Sequence, residues 1–252
     1  MPTAYLLGSG AAISDPHRTT TMLAFDNGTS LIVVDCGGDV IQRLMECGIP
    51  YQEMSRIEAL ILTHEHPDHI GGFALFMEKI WLAGRREPIH IYGPALALEQ
   101  ALRQFEVYNT ADWTGMPEKI WHEVPLEENA LVLESDQWHI LASPGTHSVP
   151  VIGLRVRDQA TGRVAAYSCD TEPSQSIARL ARNADILFHE ATGEGPSHSS
   201  ARQAADIAAQ AEPHRLVFVH IPPMAFLSDE EIASVSDIFK AERGEELGKY
   251  EF

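Results

Sequence analysis

Cysteine and long apolar runs are both scarce in this chain of 252 residues. The three cysteines, Cys36, Cys47 and Cys169, are an odd number without disulfide-framework or metal-ligand spacing, which favours a reducing compartment. No apolar run reaches the roughly 18 residues that a membrane span requires, and the chain opens without the basic and apolar regions of a signal peptide. We therefore expect a cytoplasmic protein with no membrane partner.

Basic residues are also few. The chain has 18 Lys and Arg against 36 Asp and Glu, which gives a formal net charge of −18. Such a charge repels a long polyanion unless bound cations or a local basic patch reverse the field. We therefore expect a small-molecule substrate, and the charge disfavours long nucleic acid as a partner.

Short apolar segments alternate with segments of helical periodicity, which predicts an α/β fold. The apolar segments predict strands at Ala4–Leu7, Met22–Phe25, Leu31–Val34, Ala59–Leu62, Ile89–Tyr92, Trp138–Ala142, Val151–Val156, Val164–Tyr167, Ile186–Phe188 and Leu216–Val219. The periodic segments predict helices at Ile41–Cys47, Phe73–Leu82, Ala95–Phe105, Ser174–Arg182 and Ser199–Ala211. No linker, break in composition or repeat interrupts the pattern, so we expect a single domain over residues 1–252.

Two further segments show no strong pattern. Tyr108–Asn129 has no clear period, and we interpret it as a long loop near a pocket mouth or as an irregular connection. The tail Ser228–Phe252 begins with the Ser-Asp-Glu-Glu spacing of a capping box, which predicts an acidic surface helix.

Histidine is the residue type that stands out, with 12 in the chain and three of them in the run His64-Glu-His66-Pro-Asp68-His69. The run follows an apolar strand directly, and a tight turn there lets neighbouring side chains reach two points in space. His64 and His66 can then share one metal ion while Asp68 and His69 reach a second. Imidazole and carboxylate ligands suit zinc or another borderline divalent ion.

Further ligands for a second ion are found much later in the chain. His147, Asp170 and His220 each follow a predicted strand closely. Open sheets expose their binding crevices at the carboxyl ends of their strands, so these side chains are candidates for the same site.

The order of these motifs resembles the metallo-β-lactamase-fold hydrolases, and within them the ribonuclease Z branch and its small phosphodiesterase relatives. The motifs that carry the resemblance are HEHPDH, Leu7-Gly8-Ser9-Gly10, Pro16-His17-Arg18, Val34-Asp35-Cys36-Gly37, His147 to Arg155, His189-Glu190-Ala191-Thr192 and His198-Ser199. The resemblance implies a four-layer αββα sandwich and a homodimer. It also implies the metal ligands: His64, His66 and His147 for one ion, Asp68, His69 and His220 for the other, and Asp170 between them.

The sequence departs from that branch at three places. Asp170 follows His147 by only 23 positions, where family members that process transfer RNA carry a projecting arm. Cys169 replaces the usual glycine, and Ile221-Pro-Pro-Met224 replaces the usual serine and basic-aromatic pair. These departures leave the metal ligands in place and argue against a transfer-RNA substrate.

Two divalent ions, Zn²⁺ or alternatively Mn²⁺ or Fe²⁺, would make a bridging hydroxide available for attack on a phosphodiester, an ester, a lactone or a β-lactam. Asp68 could orient or deprotonate this nucleophile, and Glu190 with His198 matches the family's proton-transfer pair. A leaving alkoxide needs such an acid, so we predict a phosphodiesterase for small substrates. The alternatives are a lactone, ester or β-lactam hydrolase, a ribonuclease Z-type transfer-RNA 3′-endonuclease, and an iron-dependent dioxygenase.

Three other side chains are expected to have supporting or alternative roles. Asp35 is expected to orient a metal-binding histidine through its second ring nitrogen. His189 is expected to pack or to support a ligand, and Arg155 to contact a substrate anion or to form an ordinary salt bridge.

Overall fold

Fourteen strands form two facing sheets in the computed structural model, which describes residues 1–13, 15–110, 112–223 and 228–252. The strands are β1 Thr3–Gly8, β2 Met22–Asp26, β3 Leu31–Val34, β4 Ile57–Ile61, β5 Ile89–Gly93, β6 Lys119–Glu123, β7 Ala130–Glu134, β8 Trp138–Pro144, β9 Ile152–Asp158, β10 Val164–Tyr167, β11 Ile186–Glu190, β12 Leu216–Val219, β13 Ala241–Arg243 and β14 Gly248–Glu251. The first sheet has the order β14-β1-β2-β3-β4-β5-β6, and the second β13-β12-β11-β10-β9-β8-β7.

Helices cover the outer face of each sheet. The first sheet carries α1 Val40–Glu46, α2 Pro67–Ile70, α3 Phe73–Leu82 and α4 Ala95–Glu106, together with the 3₁₀ helix Tyr51–Arg56. The second carries α5 Gln175–Leu180, α6 Ala201–Ala211 and α7 Asp229–Val235. No helix in the described part of the chain is long and apolar enough to cross a membrane.

Strand residues alternate between two apolar layers because successive side chains point to opposite faces of a sheet. On β8, Trp138, Ile140 and Ala142 enter the core between the sheets. Separate apolar clusters lie between each sheet and its helices, such as the one that includes Phe73 and Ile91. Helix, sheet, sheet and helix therefore form four layers, which confirms the predicted αββα sandwich.

Two predicted segments are wrong in part. The predicted loop Tyr108–Asn129 contains the edge strand β6, which pairs in parallel with β5. The predicted helix over Ser228–Phe252 is helical only in α7, and the chain then forms β13 and β14. Met224, in the departure noted above, lies outside the described residues.

The strand directions place the later ligands near the first motif. β3 and β4 run parallel, as do β10, β11 and β12, so the segments that follow these strands leave at the carboxyl edge of each sheet. The same edge of the second sheet receives the end of β8, because β8 and β10 both pair antiparallel with β9. His64, His147, Asp170 and His220 follow four of these strand ends.

Candidate metal centre

The turn after β4 carries the first motif and is shaped by two residues. Pro67 occupies the first position of α2, where the missing N–H of proline costs no hydrogen bond. Gly37 lies against this turn so closely that a Cβ atom would stand 1.6 Å from the carbonyl oxygen of Asp68. A side chain at position 37 would therefore push the turn, and its ligands, out of place.

The first ligand group consists of three imidazoles. Nε2 of His64 lies 3.0 Å from Nδ1 of His66, and Nε2 of His147 lies 3.1 Å from the same atom. Three ring nitrogens thus converge from two separate segments of the chain. Burial lowers the pKa of His64 well below its usual value, and burial also lowers the pKa of His147. Both imidazoles are therefore neutral near pH 7, the form that binds a metal ion.

The second ligand group combines two carboxylates with two imidazoles. Nε2 of His220 lies 3.3 Å from Oδ2 of both Asp68 and Asp170, and Nε2 of His69 lies 3.5 and 3.6 Å from the same two oxygens. Burial favours the neutral acid, but His220 and His69 hold the pKa of Asp170 well below its usual range. Asp170 is therefore an anion in the centre of the cluster.

Two buried atoms indicate that this cluster is built for a ligand. Nε2 of His69 and Oδ1 of Asp170 are buried without a hydrogen-bond partner among the described residues. Leaving a buried polar atom unpaired costs about 1–3 kcal/mol, and a divalent cation would satisfy both atoms. The donor set of imidazole nitrogens and carboxylate oxygens fits that cation.

Other side chains hold the ligands in orientation. Asp35 accepts a hydrogen bond from Nδ1 of His69 at 2.8 Å, so the expected contact between Asp35 and a candidate ligand histidine is present. Asp35 itself accepts the backbone N–H of Thr63 at 2.8 Å. Nδ1 of His220 donates to the hydroxyl of Thr192 at 2.8 Å, which leaves Nε2 of His220 facing the carboxylates.

Glu172 reaches the first ligand group through the backbone of Ser197. Nδ1 of His147 donates to the carbonyl oxygen of Ser197 at 2.7 Å, and the N–H of Ser197 donates to Oε1 of Glu172 at 2.9 Å. Ser197 has a positive φ of 73°, and the next residue is His198. Glu172 thus holds the backbone of Ser197, whose carbonyl contacts His147 and whose next residue is His198.

His198 and Glu190 form a pair beside the ligand groups. Nδ1 of His198 lies 3.0 Å from Oε1 of Glu190, whose carboxylate is fully buried and also accepts the N–H groups of Thr171 and Thr192. Burial opposes a charge on the imidazole, but the hydrogen bond and the charge of Glu190 raise the pKa of His198. The ring lies close to those of His147 and His220, so it borders both groups.

Besides Ser197, three residues of the centre have left-handed backbone conformations. Asp35, Cys169 and His220 have φ values of 60°, 54° and 54°. Each lies just beyond a strand, where the chain leaves the sheet. Glycine adopts this conformation without strain, which explains why glycine suits the position that Cys169 occupies here.

The seven ligand candidates and the His198–Glu190 pair are thus brought together at one edge. His189 is buried and stays outside these groups, with its Nδ1 bonded to the carbonyl of Glu190. Arg155 also lies elsewhere and donates to the carbonyls of Leu180 and Arg182. Sequence reasoning missed the supporting residues Thr63, Glu172 and Ser197, since none is a ligand-type side chain within a recognised motif. It named Thr192 within a motif but gave it no supporting role.

The four-layer fold and this cluster define a class of protein, and the comparisons identify it. A family model described as the beta-lactamase superfamily domain matches residues 31–221. The chain therefore belongs to the beta-lactamase superfamily and is a hydrolase of the metallo-β-lactamase fold, a fold that implies divalent metal ions. The family recognised from the sequence motifs is confirmed.

Its relatives point to one branch of that superfamily. Ribonuclease Z of Mycobacterium bovis is 30% identical over 254 residues, covering 90% of this chain and 88% of the relative. Ribonuclease Z of Methanothermobacter thermautotrophicus is 27% identical over 271 residues, covering 85% of each. In structure, the chain is similar to the short form of human tRNase Z, with a TM-score of 0.80, 23% identity and 100% and 99% coverage. It is also similar to a diphosphatase from the PhnP family, with a TM-score of 0.78, 21% identity and 100% and 98% coverage.

Proposed function

We propose that the protein is a two-metal phosphodiesterase that acts on small phosphodiesters. His64, His66 and His147 would hold one ion, Asp68, His69 and His220 the other, and Asp170 would lie between them. Two divalent ions, with zinc the first choice, would supply a water molecule of lowered pKa and positive charge for a developing oxyanion. Asp68 would orient the attacking water by accepting a hydrogen bond from it on a carboxylate oxygen.

The observation that most supports a phosphodiester as the substrate is the His198–Glu190 pair. Nδ1 of His198 is bonded to Glu190, so Nε2 is free to give its proton to a leaving oxygen. The His198 side chain is 27% exposed, whereas Glu190 is fully buried, so His198 is the member that substrate can reach. An alkoxide of high pKa needs this proton to depart, because general acid catalysis acts on the leaving group.

The leaving group therefore provides the test. We expect the His198→Ala variant to slow the hydrolysis of alkyl phosphodiesters roughly 100- to 10,000-fold, the usual range for general acid catalysis. A nitrophenyl diester, whose leaving group needs no proton, should lose far less. Equal slowing of both substrates would remove His198 as the acid, and no hydrolysis of either by the metal-loaded wild type would refute the phosphodiesterase proposal.

The number of ions is tested by elemental analysis after gentle purification. We expect two ions per chain, and we expect His66→Ala and Asp170→Ala to lose metal and activity together. His214→Ala is the matched control, since the His214 side chain is 70% exposed and outside both groups. One ion or none in the wild type, or full activity in either ligand variant, would contradict the assignment.

A second candidate is a transfer-RNA 3′-endonuclease, which the relatives named Ribonuclease Z favour. These relatives give no support to the expectation from net charge that long nucleic acid is disfavoured. The hairpin between His147 and Asp170 favours the small substrate, because only residues 159–163 join β9 to β10. Specific 3′-end cleavage of precursor transfer RNA at physiological salt would establish the endonuclease and refute a preference for small diesters.

A further inference from the structure

A cavity of about 390 Å³ opens on the outer face of the second sheet, near the loop that joins β9 to β10. Arg155 and Arg157 of β9 and His139 of β8 line it, together with Asn183 and Asp185. These strand residues point away from the core because their neighbours Ile140 and Val156 point into it. His139 lies five positions before Pro144, so the cavity is roughly 17 Å along β8 from the metal edge.

Arg155 is held rigidly at this cavity. One terminal nitrogen of its guanidinium donates to the carbonyls of Leu180 and Arg182 at 2.8 and 2.9 Å. Its other N–H groups have no partner among the described residues. Burial lowers the pKa of Arg155, the charge of Arg157 lowers it further, and the charge of Asp185 raises it. Arg155 and Arg157 lie two positions apart on β9 and therefore project from the same face of the sheet into one cavity.

No carboxylate in the described ranges neutralises Arg157, which is exposed and has no hydrogen-bond or ion-pair partner there. The carboxylate in the cavity lining, Asp185, already contacts three other groups. It pairs with Arg163, accepts the N–H of Val164 at 2.8 Å and lies 3.5 Å from Nδ1 of His214. The cavity therefore retains positive charge on a chain whose formal net charge is −18.

We propose that this cavity binds a dianionic oxyanion, inorganic phosphate or a phosphomonoester, at a site separate from the metal centre. A guanidinium presents N–H donors in a planar fork that matches phosphate oxygens, and the amide of Asn183 and the ring of His139 add donors. A dianion between Arg155 and Arg157 replaces their repulsion by two attractions. The volume also accommodates an organic group on the phosphate, which would contact Leu141 and Val164. The proposal is independent of the reaction proposed above.

Calorimetric titration of the metal-loaded protein at fixed ionic strength tests this site with inorganic phosphate and, separately, ribose 5-phosphate. We expect Arg157→Gln to weaken one class of binding site roughly 10- to 100-fold, since hydrogen bonds to charged groups contribute about 1.5–3 kcal/mol. Arg103→Gln is the control, because Arg103 is an exposed arginine on α4 that is paired with Glu99. Its isotherm should match that of the wild type.

The Asp170→Ala variant distinguishes phosphate bound at the metal centre from phosphate bound in the cavity. This variant should keep the binding sites that Arg157→Gln weakens. Tighter binding of ribose 5-phosphate than of phosphate would assign the site to phosphomonoesters, and equal binding would assign it to phosphate. The proposal fails if Asp170→Ala alone abolishes all phosphate binding, or if Arg157→Gln and Arg103→Gln both bind as the wild type does. A failed phosphodiesterase assay would leave these outcomes unchanged.

Discussion

The pair formed by His198 and Glu190 gives a prediction for the dependence of activity on pH. The pKa of His198 is raised by Glu190, so the protonated acid persists to higher pH, and activity on a poor leaving group is lost as pH rises through that pKa. Glu190→Gln removes the negative charge, so the basic limb of the kcat profile should move to lower pH. Rate profiles with an alkyl phosphodiester measure this shift. An unmoved limb would mean that another group limits the rate.

Glu172 is expected to act by positioning rather than by contact with substrate. Glu172→Ala removes the acceptor for the N–H of Ser197 and so loosens the backbone of Ser197, which contacts His147 and precedes His198. We expect zinc affinity and kcat both to fall about tenfold, the low end for groups that support metal ligands. Chelator competition and leaving-group kinetics would measure the two effects.

The control is Glu172→Gln, whose amide oxygen can still accept the N–H of Ser197. This variant should recover most of the zinc affinity and most of kcat. If Glu172→Ala matches the wild type in zinc affinity and in kcat, other contacts hold the backbone of Ser197, and Glu172 has no positioning role.

The ligands and their supports differ in how far the sequence reveals them. His64, Asp170 and His220 lie just beyond apolar strands, so the sequence pattern alone points to them. Glu172 lies 25 positions from Ser197, and the two meet only because loops from different strand ends pack together. Sequence periodicity does not predict such a contact, so supporting residues of this kind can be identified only from the structure.

The end of α6 gives a prediction about stability. Glu212 closes this helix in the left-handed conformation, with φ 53° and ψ 47°, and is exposed. Glycine adopts this conformation without strain, so Glu212→Gly should raise the free energy of unfolding by about 0.5–1 kcal/mol. Urea denaturation measures the change, and Glu212→Ala, which keeps the Cβ atom, should give no such gain. A less stable glycine variant would show that the carboxylate contributes more than the strain costs.

Strands of the sheet centres were predictable, whereas the sheet edges were not. Strands such as β3 and β12 are buried on both faces and appear as unbroken apolar runs. The edge strands β6, β7, β13 and β14 contain charged residues, because one side of an edge strand meets solvent. The composition of these strands therefore resembles that of a loop or a surface helix.

At the scale of the whole molecule, we predict a homodimer. Helix α3 buries Phe73 and Ile80 in the core but leaves Leu75 and Leu82 39% and 61% exposed. Tyr108, which lines one cavity with Leu75, is 58% exposed. Burial of such apolar surface between two copies would be favourable. Light scattering should give twice the chain mass of 27.8 kDa, and Leu75→Glu should reduce it to one copy. A wild-type particle of 27.8 kDa would refute the dimer.

The left-handed residues of the metal centre affect how the sequence can change over evolution. Such a conformation costs roughly 1–2 kcal/mol for a residue with a Cβ atom. The side chains of Asp35 and His220 make contacts within the site, so a substitution at either position removes one of these contacts and its role. Position 169 has the same backbone, but its Cys169 side chain packs into the core between the sheets, with Sγ 2.9 Å from Oγ1 of Thr63 and 3.5 Å from Nδ1 of His64. Of these three positions, position 169 is therefore the one where evolution can accept a substitution, above all to glycine, without a change in the chemistry of the site.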